Sequence, residues 1–251
     1  DNFKVYCVDD GMEDMNATYV AGEGAGASGS WTWTTTHLST FMGVEIEEGD
    51  QVVYSVGSTL EADTLADALS AIGGASETDA TITLVKDIKL NETSNTSLIS
   101  IPAKKTVTIQ NTEGNNYSIT ANFNYTNTST TTPNIGKGTG VVSLGTDSSL
   151  TISNVPLNLN GNDDSTQGVT SGIHMGTGFV MEAGSSLTLN EGTEAKLNTL
   201  SRGFIHYGSG NNLTKVTIDG ATLKVTDVSG NGSNGGAWTV KGNSDVTFEN
   251  I

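Results

Sequence analysis

Apolar and polar residues alternate in short runs along most of this chain, and in its second half one pattern returns four times. The copies read "GVVSLGTDSSLTIS", "GFVMEAGSSLTLN", "GFIHYGSGNNLTKVTID" and "GAWTVKGNSDVTFE". Each is a glycine, an alternating apolar run, a polar turn and an apolar-Thr-apolar triplet. The triplets Leu150-Thr151-Ile152, Leu187-Thr188-Leu189, Val216-Thr217-Ile218 and Val246-Thr247-Phe248 start 37, 29 and 30 residues apart. Period two sends the residues flanking each Thr to one side of a strand and the Thr to the other. A third alternating segment follows each triplet in three of the copies: Leu157-Asn158-Leu159, Ala195-Lys196-Leu197 and Leu223-Lys224-Val225. No copy holds ten residues of helical periodicity. The pattern therefore predicts an all-β chain wound as a parallel β-helix with three short strands per coil.

A single coil has no partner sheet, so its inward residues find cover only against the coils on either side. Several coils must form together. The inserts 122–137, 160–177 and 228–235 all leave after the third strand of a coil, which predicts loops aligned along one edge. The triplet threonines, with Thr108, form an outward column whose neighbours Gln110, Ser153, Asn190, Asp219 and Glu249 vary in size and charge. That column reads as ordinary sheet surface and not as a regular ice-binding lattice.

Residues 1–60 do not share the repeat and read as an N-terminal β cap or companion region. Residues 61–74 carry the one helical signal, "LEADTLADALSAIGG": Asp63 or Thr64 as N-cap, Leu65, Leu69 and Ile72 on one face, Gly73-Gly74 as the stop. So short a helix must lie on something, and the apolar end of the coil stack is the expected seat. Residues 75–251 form the β-helix.

The segments "LADALSAI", "ATITLVKDIKL" and "SIPAKKTVTI" follow one another between residues 65 and 109. This succession resembles the opening coils of pectate-lyase-like right-handed parallel β-helix domains in adhesin-like surface proteins of Gram-positive bacteria. The resemblance covers residues 64–251, with its specific part at 64–121. It implies right-handed winding and a secreted or cell-wall-attached, extracellular setting. It implies no particular ligand, because that fold carries both enzymes and adhesins.

Charge narrows the partners. With 28 acidic and 11 basic residues the formal net charge is −17, which argues against nucleic acid, whose phosphates are met by Lys and Arg. No run of about 18 apolar residues occurs, so no helical membrane span is expected. Cys7, the single cysteine, reads as a buried thiol within a strand. The chain begins at Asp1 without a methionine or leader, which suits a trimmed secreted product. Its last segment, "SDVTFENI", stops one strand into a coil. This predicts either further coils or end-to-end self-association through the open end.

Three kinds of chemistry remain. Trp31 and Trp33, two residues apart in an aromatic-poor chain, are the ligand-binding candidates for stacking on sugar rings. Asn160, Asn162 and Asp164 alternate like calcium ligands, and Asp9, Asp10, Glu13 and Asp14 form a second oxygen cluster. Asp163, Asp164, His174 and Arg202 follow an order similar to the Asp pair, His and Arg of polygalacturonase-type hydrolases. The chain lacks their basic tripeptide and Asn-Thr-Asp segment, so a lyase or glycoside hydrolase is the alternative reading and no catalytic residue is assigned in the first. His37, His174 and His206 have no metal-ligand spacing. Calcium is the one cofactor the sequence suggests. The expected function is a non-catalytic module for adhesion or structural display, binding glycan or extracellular protein. A self-assembling filament subunit is the third reading.

Overall fold

Three parallel sheets account for the repeat. The computed structural model describes residues 3–8, 13–20, 29–36, 40–47, 49–57, 59–93, 96–124, 140–163, 174–228, 236–240 and 244–249. Sheet I holds Asp79–Leu84, Thr106–Gln110, Ser149–Ser153, Ser186–Leu189, Thr214–Asp219 and Ser244–Glu249 in that spatial order. Sheet II holds Ile88–Thr93, Ile119–Asn124, Leu157–Asn160, Glu194–Leu200 and Thr222–Val228. Sheet III holds Ile99–Ile101, Val142–Leu144, Thr177–Glu182, Arg202–Tyr207 and Gly236–Val240. The chain visits I, II and III in fixed rotation, completing five rounds before the last strand of sheet I.

Register follows the alternation. In sheet I, Ile82, Ile109, Ile152, Leu189 and Ile218 stack in line, as do Val107, Leu150, Leu187 and Val216. Sheet II aligns Ile88, Ile119, Leu157 and Ala195, and sheet III aligns Ile99, Val142, Phe179, Phe204 and Trp238. These rows from all three sheets meet in one apolar cluster, with Trp238 partly buried at its margin. A one-residue slip would turn an entire row outward, so burial itself holds the register. On the other side of sheet I, Thr81, Thr108, Thr151, Thr188 and Thr217 form a continuous column, with Thr247 next in register.

The III-to-I turns stack as well. Lys104, Asp147 and Gly184 all take positive φ, and Lys104 N–H and Asp147 N–H each donate to a carbonyl of the next turn, Thr146 and Ala183, at 3.0 Å. Gly184 sits at φ 76°, which favours glycine, and a Cβ there would come within 2.1 Å of Asp147 Oδ1 and push that carboxylate aside. The II-to-III connections behave differently, ranging from Ser201 alone to the stretch between Asn124 and Val142. All three predicted inserts fall at the passage from a sheet II strand to the following sheet III strand, their ends overlapping those strands. Most of their residues fall outside the described ones.

Sheet I continues backwards in antiparallel fashion. Val52–Val56 pairs with Asp79–Leu84 on one side and with Thr59–Asp63 on the other. Hydrogen bonding thus carries the sheet into the segment expected as the cap. One side of this hairpin, with Val52, Tyr54 and Val56, joins the main cluster. Its other side buries Val53 and Leu60 against Tyr6 and Val44 in a second, smaller core. Tyr6 and Val44 belong to an antiparallel sheet of Glu13–Asp14, Phe3–Cys7 and Phe41–Glu45. Cys7 is buried there.

The helix runs Leu65–Gly74 and buries Leu65, Ala68, Leu69 and Ile72 in the main cluster. Thr64 caps it, its Oγ accepting from Asp67 N–H at 3.2 Å. The far end is tied down by Lys105, whose Nζ donates to the carbonyls of Ala75 at 2.5 Å and Glu77 at 2.7 Å. A cation at the carbonyl end of a helix also suits the helix dipole.

Candidate functional site

One groove lies in the N-terminal region. Thr18–Val20 and Ser30–Thr32 pair antiparallel, which sets Tyr19 opposite Trp31. Their rings lie 5.3 Å apart, and Trp31 also leans on Phe3 at 4.8 Å. Phe3 in turn lies across Gly43, where a Cβ would approach its ring to 2.2 Å, and Tyr19 lies across Gly29 in the same manner. Two glycines thus make room for the far ends of two aromatic rings.

The polar side of the groove is built on Asp14. One carboxylate oxygen accepts from Lys4 Nζ at 2.6 Å and the other from Asn16 N–H at 2.9 Å. Asn16 holds this turn with a positive φ of 48°, a conformation asparagine tolerates. Phe3, Lys4, Asp14, Asn16, Thr18, Tyr19 and Trp31 line about 440 Å³ of open groove. That size lies within the usual range for small-ligand clefts, about 300–1,000 Å³. Tyr19 is 46% exposed and Trp33 39%. Trp33, however, rests on Phe41 at 5.5 Å and does not line the groove. An aromatic wall faces a fixed carboxylate, an ammonium and an amide, a set that offers a ring face to C–H groups and donors and acceptors to hydroxyls.

The second place of interest is the corner between sheets II and III. Asn162–Asp163 pairs antiparallel with His174–Met175, placing Asp163 in register with His174. Asp164 lies outside the described residues, as do Asp9, Asp10 and His37. Next to the hairpin, the Gly176 carbonyl accepts from both N–H and Oγ of Ser201, at 3.0 and 2.7 Å. Arg202 follows immediately and is 3% exposed, on the same side of its strand as Phe204 and His206. Burial pushes its pKa down, and among the described residues no carboxylate forms an ion pair with it. As it stands, Arg202 does not reach an outer surface.

Asn160 belongs to a row. Its Nδ2 donates to Asn122 Oδ1 at 3.0 Å, and Asn122 donates to Asn91 Oδ1. Asn162 lies beyond this row, in the hairpin. Among the described residues no three His, Cys, Asp or Glu side chains gather as metal ligands. No helix among the described residues is long and apolar enough to cross a membrane.

His206 is fully buried in line with Leu144, Met181 and Val240. Its ring stacks on Trp238 at 5.2 Å, beside Phe204, which itself lies 4.1 Å from Trp238. This histidine is a packing residue.

Sequence reasoning singled out Trp31 but missed its partners Phe3, Lys4 and Tyr19, and read Asp14 as a calcium candidate. The available signal was the pair of short alternating segments, "TYV" and "SWT", on either side of a Gly-rich stretch, a hairpin with a long loop. Comparison with protein-family models, with curated proteins and with solved structures finds no match.

Proposed function

We propose that the three sheets close into a right-handed parallel β-helix of three strands per coil, and that the chain is a non-catalytic extracellular module of a surface protein. Its task in this reading is to hold a glycan in the groove of Trp31, Tyr19 and Phe3. The single observation that carries the proposal is the Tyr19–Trp31 pair set beside the Lys4–Asp14 ion pair. Rigid, partly exposed aromatics give contact area at little entropic cost, and a carboxylate already held by two donors is pre-ordered for a sugar hydroxyl. The buried Arg202 weighs against the hydrolase reading, because a group on a polysaccharide cleft must reach its substrate.

The test is a glycan array followed by titration calorimetry on the best hit. Trp31→Ala and Tyr19→Ala should each weaken binding about tenfold or more with the fold intact by circular dichroism, in line with roughly 1–2 kcal/mol for an aromatic contact. Unchanged affinity in both variants would remove the groove from the reading. Release of reducing or unsaturated sugar from a polysaccharide panel, lost in Asp163→Ala, would replace the module with an enzyme.

A further inference from the structure

The outer face of sheet II departs from the charge of the rest of the chain. Two rows run across it in register. One is Lys89, Thr120, Asn158, Lys196 and Lys224, and the other is Asn91, Asn122, Asn160, Asn198 and Thr226. Lys89, Lys196 and Lys224 are exposed. In a chain with 28 acidic and only 11 basic residues, three of the basic ones thus share a single row. Three carboxylates lie near them: Glu194 meets Lys196 at 3.4 Å, Asp87 feels the charge of Lys89 while accepting from Ser118, and Asp227 accepts from Thr199 Oγ at 3.3 Å near the strand end.

Two features set these rows apart from an ordinary solvated surface. Lys196 and Lys224 are direct partners on neighbouring parallel strands, about 4.8 Å apart at the backbone. Like charges so placed repel, and an anion bound between them removes the repulsion. Beside them the amides are already fixed by one another: Asn122 donates to Asn91, Asn160 to Asn122 at 3.0 Å, and Thr226 Oγ to Asn198 at 3.0 Å. Binding to such a row costs little side-chain ordering, and its repeat is that of the strands.

We propose that this face docks an acidic polysaccharide, with Lys196 and Lys224, and at the far end Lys89, meeting carboxylates while the Asn row meets hydroxyls. A chain of sugars, each with several hydroxyls and no more than one carboxylate, fits a surface with many amides and few cations. A nucleic acid does not, since its dense phosphates need a dense basic patch and would be repelled by the net charge of −17. The inference extends glycan binding to a second surface and does not use the aromatic groove, so either can fail alone.

The test uses the whole chain and three probes at low ionic strength: alginate as a carboxylated polysaccharide, neutral dextran of matched length, and poly-glutamate as an acidic peptide. Alginate should bind, dextran should not, and binding should weaken as salt is raised to about 0.5 M. Lys196→Gln with Lys224→Gln should weaken alginate binding about five- to tenfold, whereas the double Arg variant keeps it. The proposal is overturned if wild-type protein binds alginate no better than dextran, or if the double Gln variant matches wild type. It is also overturned if poly-glutamate binds as tightly as alginate, which would mean that charge alone is read.

Discussion

His206 Nδ1 lies 2.7 Å from Thr214 Oγ, joining the last sheet III strand of one round to the first strand of the next inside the molecule. The other ring nitrogen, Nε2, is buried with no hydrogen-bond partner among the described residues. Burial pushes the His206 pKa from 6.5 down to about 4. In the unfolded chain the group titrates near 6.5, so between about pH 6.5 and 4 the unfolded state binds a proton that the folded state refuses. The stability His206 allows is therefore complete above about pH 6.5. It falls on acidification at up to about 1.4 kcal/mol per pH unit, levelling off below about pH 4. Urea denaturation at pH 7 and pH 4.5 should show this slope in wild type and a shallower one in His206→Met, which matches the neighbouring Met181. Equal slopes in the two proteins would assign the acid sensitivity to other groups.

Leu187, fully buried between Leu150 and Val216, tests whether the rounds are cooperative. Leu187→Ala should cost about 2–5 kcal/mol, the range for a large-to-small change in a packed core. Hydrogen exchange should then accelerate together in Ser149–Ser153, Ser186–Leu189 and Thr214–Asp219. Acceleration confined to Ser186–Leu189 would mean that each round stands by itself.

Gly184→Ala introduces a side chain at φ 76° and a Cβ 2.1 Å from Asp147 Oδ1. A loss of about 1–3 kcal/mol is expected, part backbone and part contact. The contact part is separable: Asp147→Gly removes the obstructing carboxylate and itself sits at positive φ, 56°. In the double variant the cost of Gly184→Ala should shrink by about 1 kcal/mol or more in a thermodynamic cycle. Strict additivity would show that the two turns do not touch in solution.

Lys105→Met keeps the buried stem and removes the ammonium from the carbonyls of Ala75 and Glu77. Two charge-assisted hydrogen bonds at a helix end are lost, for about 1–3 kcal/mol. The expected signature is local: amide exchange should rise in Leu65–Gly74 more than in the sheets. A uniform rise across the molecule would indicate that the helix has no separate anchorage.

The parallel sheets were legible because their chemistry is repeated. Leu150-Thr151-Ile152 and its equivalents announce one buried and one open side, and the helix is announced by Thr64, Leu65, Leu69 and Ile72. The region before Asp63 gave no such signal. "VVYSV" at 52–56 is buried on both faces, between the main core and the Tyr6 core, so it has no alternation to read. Phe3–Cys7 pairs with Phe41–Glu45 across a long stretch of sequence, and Thr18–Val20 with Ser30–Thr32 across a Gly-rich loop. The groove depends on these distant pairings, which is why Trp31 stood out as an aromatic while its partners did not. The amide row on sheet II was hidden for the related reason that Asn91, Asn122 and Asn160 become neighbours only once the strands stack.

Ser201 alone bridges Leu200 and Arg202, while the chain between Asn124 and Val142 spans the same two sheets, and the strands before and after both keep their alignment. Length at that vertex is thus decoupled from the interior: whatever is threaded in or cut out there leaves the stacking partners above and below unaware of it. Such a scaffold can be refitted from outside, one storey at a time.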